Sequence, residues 1–194
     1  MDKTKHALKV LEDIEKIFPD AKTELENWET PFQFLVCIML SAQTMDKQVN
    51  KVTPKLFEKF PTSQKLSEAK LEEIKEIVKS INYFNTKAKH ILGTSKILEE
   101  KYKGEVPKDL SKLQELPGVG YKTANVFLND LYQSNQGIAV DTHVRKVALK
   151  FGLTESNNPD KIAKDLEEIY PKEVWYKINR YFVLYGRYKM KRSS

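Results

Sequence analysis

The sequence predicts an all-α fold, because helical periodicity is nearly continuous and no segment reads as a strand of useful length. A second observation is the set of helix-breaking residues between the periodic segments. These breakers are Pro61, Asn82, Gly104, Pro107, Gly137, Gly152 and Pro171. With 194 residues, the chain is long enough for one large domain or two small ones.

The predicted helices follow from the periodic segments. The first has an apolar face made of Leu8, Leu11, Ile14 and Phe18. The segment from Phe32 to Gln43 is apolar all round, which is typical of a buried helix. Further helices are predicted at 46–59, 69–80, 86–102, 109–115, 119–132, 142–152, 159–170 and 172–188.

The composition is that of an ordinary globular protein, with 40% hydrophobic and 31% charged residues. No apolar run reaches the ~18 residues needed to span a bilayer, and no signal-peptide block follows the start, so the expected location is cytoplasmic. The single cysteine, Cys37, lies in an apolar run and is expected in the core. One cysteine excludes an internal disulfide, and the three histidines have no metal-ligand spacing.

Basic residues are concentrated at the end of the chain. The formal net charge is +6, from 33 basic and 27 acidic residues. Residues 171–194 carry seven basic residues and one acidic residue, which accounts for the whole excess. On the last helix, the basic residues opposite the core face are Lys177, Arg180, Arg187 and Lys191. A solvated end and a surface for a polyanionic partner both fit this pattern.

The most informative motif is Leu-Pro-Gly-Val-Gly-Tyr-Lys-Thr-Ala-Asn at residues 116–125. Pro117 fixes φ for a turn, and Gly118 and Gly120 lack the Cβ atoms that would block another backbone. The helix that follows presents free N–H groups and the positive end of its dipole in front of the turn. We therefore expect a phosphate-binding hairpin here.

Lys122 is a candidate nucleophile, because it lies in the first turn of this helix on the side away from the buried Ala124. An amine attacks only when neutral, and deprotonating a free lysine at pH 7 costs about 4.6 kcal/mol. A helix N-terminus in a partly desolvated site lowers that cost, because both effects disfavour the ammonium. An ordinary solvated lysine is the alternative interpretation.

Asp141 is a candidate N-cap, since it stands in Val-Asp-Thr-His-Val-Arg at residues 140–145, just before an apolar-periodic helix. A capped carboxylate has a fixed orientation, so capping and catalysis are compatible. His143 is expected to pack and hydrogen-bond near Asp141.

These two strings resemble those of the helix-hairpin-helix DNA glycosylases, most closely the endonuclease III branch. The similarity covers nearly the whole chain and includes the segments 41–44, 84–88, 104–107 and 185–188. It implies two lobes, a six-helix bundle at 22–132 and a second lobe from 1–21 plus 133–194, with a cleft beside Lys122 and Asp141. In that family the lysine attacks C1′ of a flipped nucleotide and forms a Schiff base. The aspartate stabilises the positive charge that grows on the deoxyribose.

The resemblance also implies contacts with DNA. Gln43 would enter the gap left by the flipped base, while a simple polar residue at a helix end is an equal alternative. Asn82 and Tyr83 stand where the family has Gly-Leu, so Tyr83 takes the place of a leucine that wedges the opposite strand. Asp46 matches a pocket-side aspartate, with helix capping as the alternative. The other expected DNA contacts are Gly118, Val119, Gly120, Arg187 and Lys191.

The cofactor content expected from this sequence differs from that of most family members. Most endonuclease III relatives carry an iron–sulfur cluster just after the segment that corresponds to residues 186–188. A four-cysteine cluster does not fit a sequence with one cysteine, so we expect no metal and a protein that folds without iron. The family hairpin often binds a monovalent cation, here through the carbonyls of Gln114, Leu116 and Val119.

Together these expectations describe a base excision repair DNA glycosylase with abasic-site lyase activity. It would excise oxidised pyrimidines from damaged double-stranded DNA as a monomer, without a membrane partner. A mismatch or alkylated-base glycosylase on the same fold is one alternative, and Lys122 argues against purely hydrolytic members. A non-catalytic DNA-binding module is another, against which the intact Lys122 and Asp141 argue.

Overall fold

The structure, a computed structural model, describes residues 2–190 of the chain. Over these residues it contains eleven α-helices, one 3-10 turn and no strand, which confirms the all-α prediction. In chain order the helices are α1 Lys3–Ile17, α2 Pro31–Ser41, α3 Asp46–Lys59, α4 Ser63–Ser67, α5 Leu71–Val78, α6 Phe84–Tyr102, α7 Leu110–Gln114, α8 Tyr121–Tyr132, α9 Thr142–Lys150, α10 Pro159–Ile169 and α11 Trp175–Tyr188. No helix in this part of the chain is long and apolar enough to cross a membrane.

The prediction missed one short helix and the 3-10 turn that precedes α11. α4 was not expected, because its five residues are too short to show a period; Thr62 caps it by accepting a hydrogen bond from the Lys65 amide at 3.2 Å. α11 begins at Trp175 instead of 172, because a 3-10 turn comes first. In that turn the Val174 amide donates to the Pro171 carbonyl at 3.1 Å.

The buried face of α1 also differs from the predicted one. Its buried side chains are Ala7, Val10, Leu11 and Ile14, whereas Leu8 is 36% exposed. Phe18 is the C-cap and lies outside the helix. The prediction favoured the larger Leu8, but the spacing i, i+4, i+7 from Ala7 sets the face that is buried.

Contacts divide the chain into two compact units. One unit is Glu24–Phe127, and the described parts of the other are residues 2–23 and 128–190. The boundary therefore falls within α8, whereas the bundle predicted at 22–132 includes the whole of that helix.

The unit Glu24–Phe127 is built around α2. Thr30 caps this helix by accepting from the Gln33 amide at 3.2 Å, and Pro31 occupies the first helical position. Nine consecutive side chains from Phe32 to Leu40 are buried, which confirms the prediction of a helix apolar on all sides. The one polar member, Gln33, donates to the Pro61 carbonyl at 3.1 Å and accepts from the Glu29 amide. Its burial is therefore satisfied by hydrogen bonds.

The other unit packs α11 against α1 and α9. Ile178 and Phe182 of α11 are fully buried, while Trp175 and Tyr185 are partly buried at the edge of this core. The Arg180 guanidinium lies 2.8 Å from the Asp130 carboxylate near the end of α8. Burial raises the pKa of the Asp130 carboxyl, and Arg180 opposes that shift. This ion pair ties α8 to α11 inside the unit.

Candidate functional site

The predicted hairpin connects α7 to α8 through a tight turn. The Val119 amide donates to the Leu116 carbonyl at 3.0 Å, and Gly118 between them has φ 77°. This geometry is a type II turn, with proline at its second position and glycine where φ must be positive. Leu116 and Val119 are 2% and 3% exposed, so their side chains anchor the turn in the core. Val119 thus contributes structure, because both its side chain and its amide are used internally.

The other two hairpin amides have no acceptor within residues 2–190. Neither the Gly118 nor the Gly120 amide donates a hydrogen bond to any atom of the described residues. Both precede the first turn of α8, where the helix dipole favours an anion. Unsatisfied N–H groups beside a positive dipole end are the expected features of a phosphate site.

The two glycines of the hairpin have different surroundings. A Cβ at Gly118 would lie 2.5 Å from Nδ1 of His90, a side chain of α6. A Cβ at Gly120 would have no atom within 4 Å. Glycine is therefore required at position 118 by the fold itself. At position 120 the free protein gives no steric reason for it.

Lys122 is the second residue of α8 and is exposed. Ala124 and Phe127 are fully buried, so the predicted buried face is confirmed and Lys122 lies on the other side. The half-buried Asp46 interacts electrostatically with the Lys122 ammonium. Burial raises the pKa of the Asp46 carboxyl, and the Lys122 ammonium opposes that shift.

Asp46 does not cap α3. The N-cap is Met45, which offers no side-chain hydrogen bond, and Asp46 is the first helical residue. The capping alternative for Asp46 is therefore wrong, and its position beside Lys122 in the same unit is the feature that the structure adds.

Asp141 caps α9, as predicted. Its Oδ1 accepts from the His143 amide at 2.8 Å and from the Val144 amide at 2.9 Å. The segment before it is also fixed, since Ala139 is buried and its carbonyl accepts from Asn179 at 2.9 Å. Two amide donors and an anchored approach give this carboxylate one orientation.

His143 only partly follows its prediction. Its amide bonds to Asp141, but ring Nδ1 is buried without a hydrogen-bond partner among the described residues. The ring packs against α11, where a Cβ at Gly186 would lie 2.9 Å from His143 Cβ.

Gln43 and Tyr83 lie in neighbouring loops of the unit Glu24–Phe127. Both are exposed, Tyr83 to 67%, and both have left-handed backbones with φ of 54° and 58°. Gln43 is two residues past the end of α2, so it is a loop residue and not helical. The Asn82 side-chain amide donates to the Gln43 carbonyl at 2.6 Å.

Lys87 was missed by the sequence reasoning. It is 7% exposed, and its Nζ donates to the carbonyls of Leu40 and Ala42 at 2.7 and 2.5 Å and to Thr44 Oγ1 at 3.0 Å. Burial lowers the pKa of this amine to about 8. A signal was present, because Lys87 lies four residues before the buried Ile91 and so shares the apolar face of α6.

Comparison with known proteins decides the family. The HhH-GPD superfamily of base excision DNA repair proteins matches residues 36–172. The chain belongs to this superfamily. Endonuclease III of Rickettsia felis is 42% identical over 180 residues, covering 93% of this chain and 84% of the relative. Endonuclease III of Escherichia coli K12 is 38% identical over 188 residues, covering 97% of this chain and 88% of the relative.

Solved structures agree with this membership. A trapped covalent intermediate of endonuclease III with DNA has a TM-score of 0.91 and 38% identity, over 98% of this chain and 89% of that one. A non-covalent endonuclease III–DNA complex has a TM-score of 0.90. A thermostable thymine-DNA glycosylase, at 18% identity and a TM-score of 0.81, shares the fold alone.

The basic face of α11 in this HhH-GPD protein is smaller than predicted. Lys177 lies 2.8 Å from the Glu15 carboxylate, and Arg180 is paired with Asp130. Each of these two residues is paired with an acid of its own unit, so less of its charge is available to a bound polyanion. Arg187 is exposed in the last turn of α11. Lys191 lies outside the described residues.

The described residues do not fit an iron–sulfur cluster. No group of three or more His, Cys, Asp or Glu side chains among them could hold a metal ion. Cys37 is buried in the middle of α2, where burial raises the pKa of its thiol to about 12. A cluster ligand must be a thiolate, which this environment disfavours.

The hairpin glycines give a prediction for stability. Gly118→Ala should destabilise the protein by about 1–3 kcal/mol, because alanine would keep a strained positive φ and meet His90. Gly120→Ala, its matched control, should stay within about 0.5 kcal/mol of the wild type. Urea unfolding measures both. A Gly120→Ala loss as large as that of Gly118→Ala would contradict the assignment.

Proposed function

We propose that the protein is a bifunctional DNA glycosylase and abasic-site lyase that removes oxidised pyrimidines from duplex DNA. The observation that carries this proposal is Lys122 in the first turn of α8, directly after the unbonded amides of Gly118 and Gly120. An anion site and an amine nucleophile are thereby combined in the five residues from Gly118 to Lys122. Membership in a base excision repair superfamily and similarity to endonuclease III–DNA structures support the same activity.

The hairpin binds the DNA backbone in this proposal. A phosphate accepts from the Gly118 and Gly120 amides at the positive end of α8. The open space at Gly120 admits that phosphate without a Cβ in its way. The carbonyls of Gln114, Leu116 and Val119 could hold a monovalent cation next to it, and the Leu116 carbonyl already accepts from the Val119 amide.

Lys122 then carries the covalent chemistry. The damaged nucleotide leaves the base stack, and the neutral amine attacks its C1′. The new C–N bond forms as the glycosidic bond breaks, and the electron pair of the glycosidic bond leaves with the base. Loss of the amine protons and opening of the sugar ring give a Schiff base. Removal of a C2′ proton then expels the 3′ phosphate by β-elimination, which cuts the strand.

Asp141 assists at the sugar. Its carboxylate stabilises the positive charge that develops on the deoxyribose as the base departs, and it helps to move the lysine proton. The two amides that hold Oδ1 keep the carboxylate aimed, so no reorientation is needed during the reaction.

Contacts on both strands accompany the flipped base. Gln43 fills the gap in the stack, and Tyr83 stacks on the base of the opposite strand. Their exposure and left-handed backbones favour such roles, since strained and exposed residues are concentrated at functional sites. Arg187 adds a phosphate contact, and the same role is proposed for Lys191.

The activity is further proposed to need no iron–sulfur cluster. The support is the single cysteine of the 194-residue sequence and its burial inside α2. Core packing of Ile178 and Phe182 then holds α11 in place.

Lys122→Gln should abolish covalent capture of DNA. Borohydride reduces an imine, so the wild type should be trapped on an abasic duplex and the variant should not. Lys96→Gln makes the same chemical change at an exposed lysine of α6 and should be trapped like the wild type. Equal trapping of Lys122→Gln and the wild type would overturn the assigned nucleophile.

Asp141→Asn should bind duplex DNA normally but release bases at least about 100-fold more slowly, because charge stabilisation at the sugar is lost. The variant keeps an oxygen that can cap α9. Asp109→Asn is the matched control, since Asp109 caps α7 by accepting from the Lys112 amide at 3.0 Å. Single-turnover base release measures both, and an unchanged rate for Asp141→Asn would leave it a capping role only.

The purified protein should be colourless and contain no stoichiometric iron or sulfide. Metal analysis and a visible spectrum test this directly. Cys37→Ala should remain active, because the thiol is treated as a core side chain. Visible absorption with stoichiometric iron and sulfide would refute the cluster-free proposal.

A further inference from the structure

Two loops with exposed side chains are joined by hydrogen bonds in the unit Glu24–Phe127. Residues 42–45 connect α2 to α3, and residues 79–83 connect α5 to α6. The Asn82 Nδ2 group donates to the Gln43 carbonyl at 2.6 Å, and Gln48 Nε2, in the first turn of α3, donates to Ser80 Oγ at 2.8 Å. The two segments, here named the paired loops, therefore hold each other in place.

The buried ammonium of Lys87 holds the loop that contains Gln43 in place. Lys87 has three N–H groups, and they reach three oxygens of the chain between Leu40 and Thr44. Two of these acceptors are carbonyls at the C-terminal end of α2, where a cation is electrostatically favoured. With a pKa of about 8, the group is mostly protonated at pH 7. The loop before and after Gln43 is thus fixed by one side chain.

The backbone that these bonds hold is an unusual one. Gln43 and Tyr83 both adopt left-handed conformations, which residues with a Cβ disfavour. Such conformations persist only where surrounding contacts determine them. The Gln43 carbonyl is held by Asn82, and the carbonyls on its N-terminal side are held by Lys87.

We propose that Asn82 and Lys87 are positioning residues that keep Gln43 preset for insertion into the DNA stack and couple it to Tyr83. The inference rests on the proposed function, since it assigns roles toward the same bound duplex. A loop already fixed before binding avoids part of the ordering cost when the complex forms. Because Asn82 precedes Tyr83 directly, its bond to Gln43 sets the spacing between the contacts on the two strands.

Asn82→Ala tests the positioning role without adding charge. Loss of one hydrogen bond predicts that base release from a lesion-containing duplex slows by about 2- to 10-fold. Borohydride trapping on a single-stranded abasic oligonucleotide should be unchanged, because no base stack has to be filled there. Asn85→Ala is the matched control, an exposed asparagine three residues further along, and should release bases at the wild-type rate.

A double-mutant cycle separates positioning from general structure. Gln43→Ala alone should slow base release, and adding Asn82→Ala should then slow it by less than it does in the wild type, because the side chain that enters the stack is gone. Lys87→Met should slow duplex base release more than Asn82→Ala, with the same dependence on Gln43. Asn82 is exposed, so its cycle stands independently of whether Lys87→Met folds.

The outcomes distinguish the two proposals. If the wild type traps abasic DNA but Asn82→Ala releases bases at the full rate, the positioning role is wrong and the proposed function stands. An Asn82→Ala effect that persists undiminished in the Gln43→Ala background also overturns it. Failure of the wild type to trap abasic DNA would overturn the proposed function and this inference with it.

Discussion

The loops proposed to touch DNA depend on contacts along one face of α6. Lys87, His90 and Thr94 follow each other at spacings of three and four residues, which places them on the same side of the helix. Lys87 donates to Leu40 at the end of α2 and to Ala42 and Thr44 in the loop that follows it. His90 packs against Gly118, and the Thr94 hydroxyl donates to the Pro117 carbonyl at 2.9 Å. A shift of α6 would therefore move the loop of Gln43 and the hairpin together.

This dependence explains why the two hairpin glycines are not equivalent. Gly118 meets the demands of the fold, a positive φ and the close approach of His90. Gly120 meets none that the free protein shows, since the space around it is open. A small residue next to unsatisfied amides at a helix N-terminus makes sense once a phosphate occupies the space. Packing therefore explains the glycine at position 118, and the proposed phosphate binding explains the glycine at position 120.

Local signals explain which features could be predicted from the sequence. The burial of α2, the buried face of α8 and the N-cap at Asp141 each depend on residues a few positions apart, and the structure confirms all three. The role of Lys87 depends on acceptors 43 to 47 residues away, and the Asn82 bond spans 39 residues. No periodicity reveals such partners. The ion pair of Arg180 was missed for the same reason, because its partner Asp130 is 50 residues earlier in the chain.

Lys177 is paired with Glu15 and Arg180 with Asp130, and these ion pairs change what the net charge of +6 implies for DNA binding. A cation held against a carboxylate of its own unit adds little to the field that a phosphate experiences. In the proposed function the amides of Gly118 and Gly120, which have no acceptor among the described residues, therefore carry more of the phosphate binding. Phosphate contacts position a protein without reading bases. In the proposed function the paired loops meet the bases, and α6 is the element that fixes those loops relative to the hairpin.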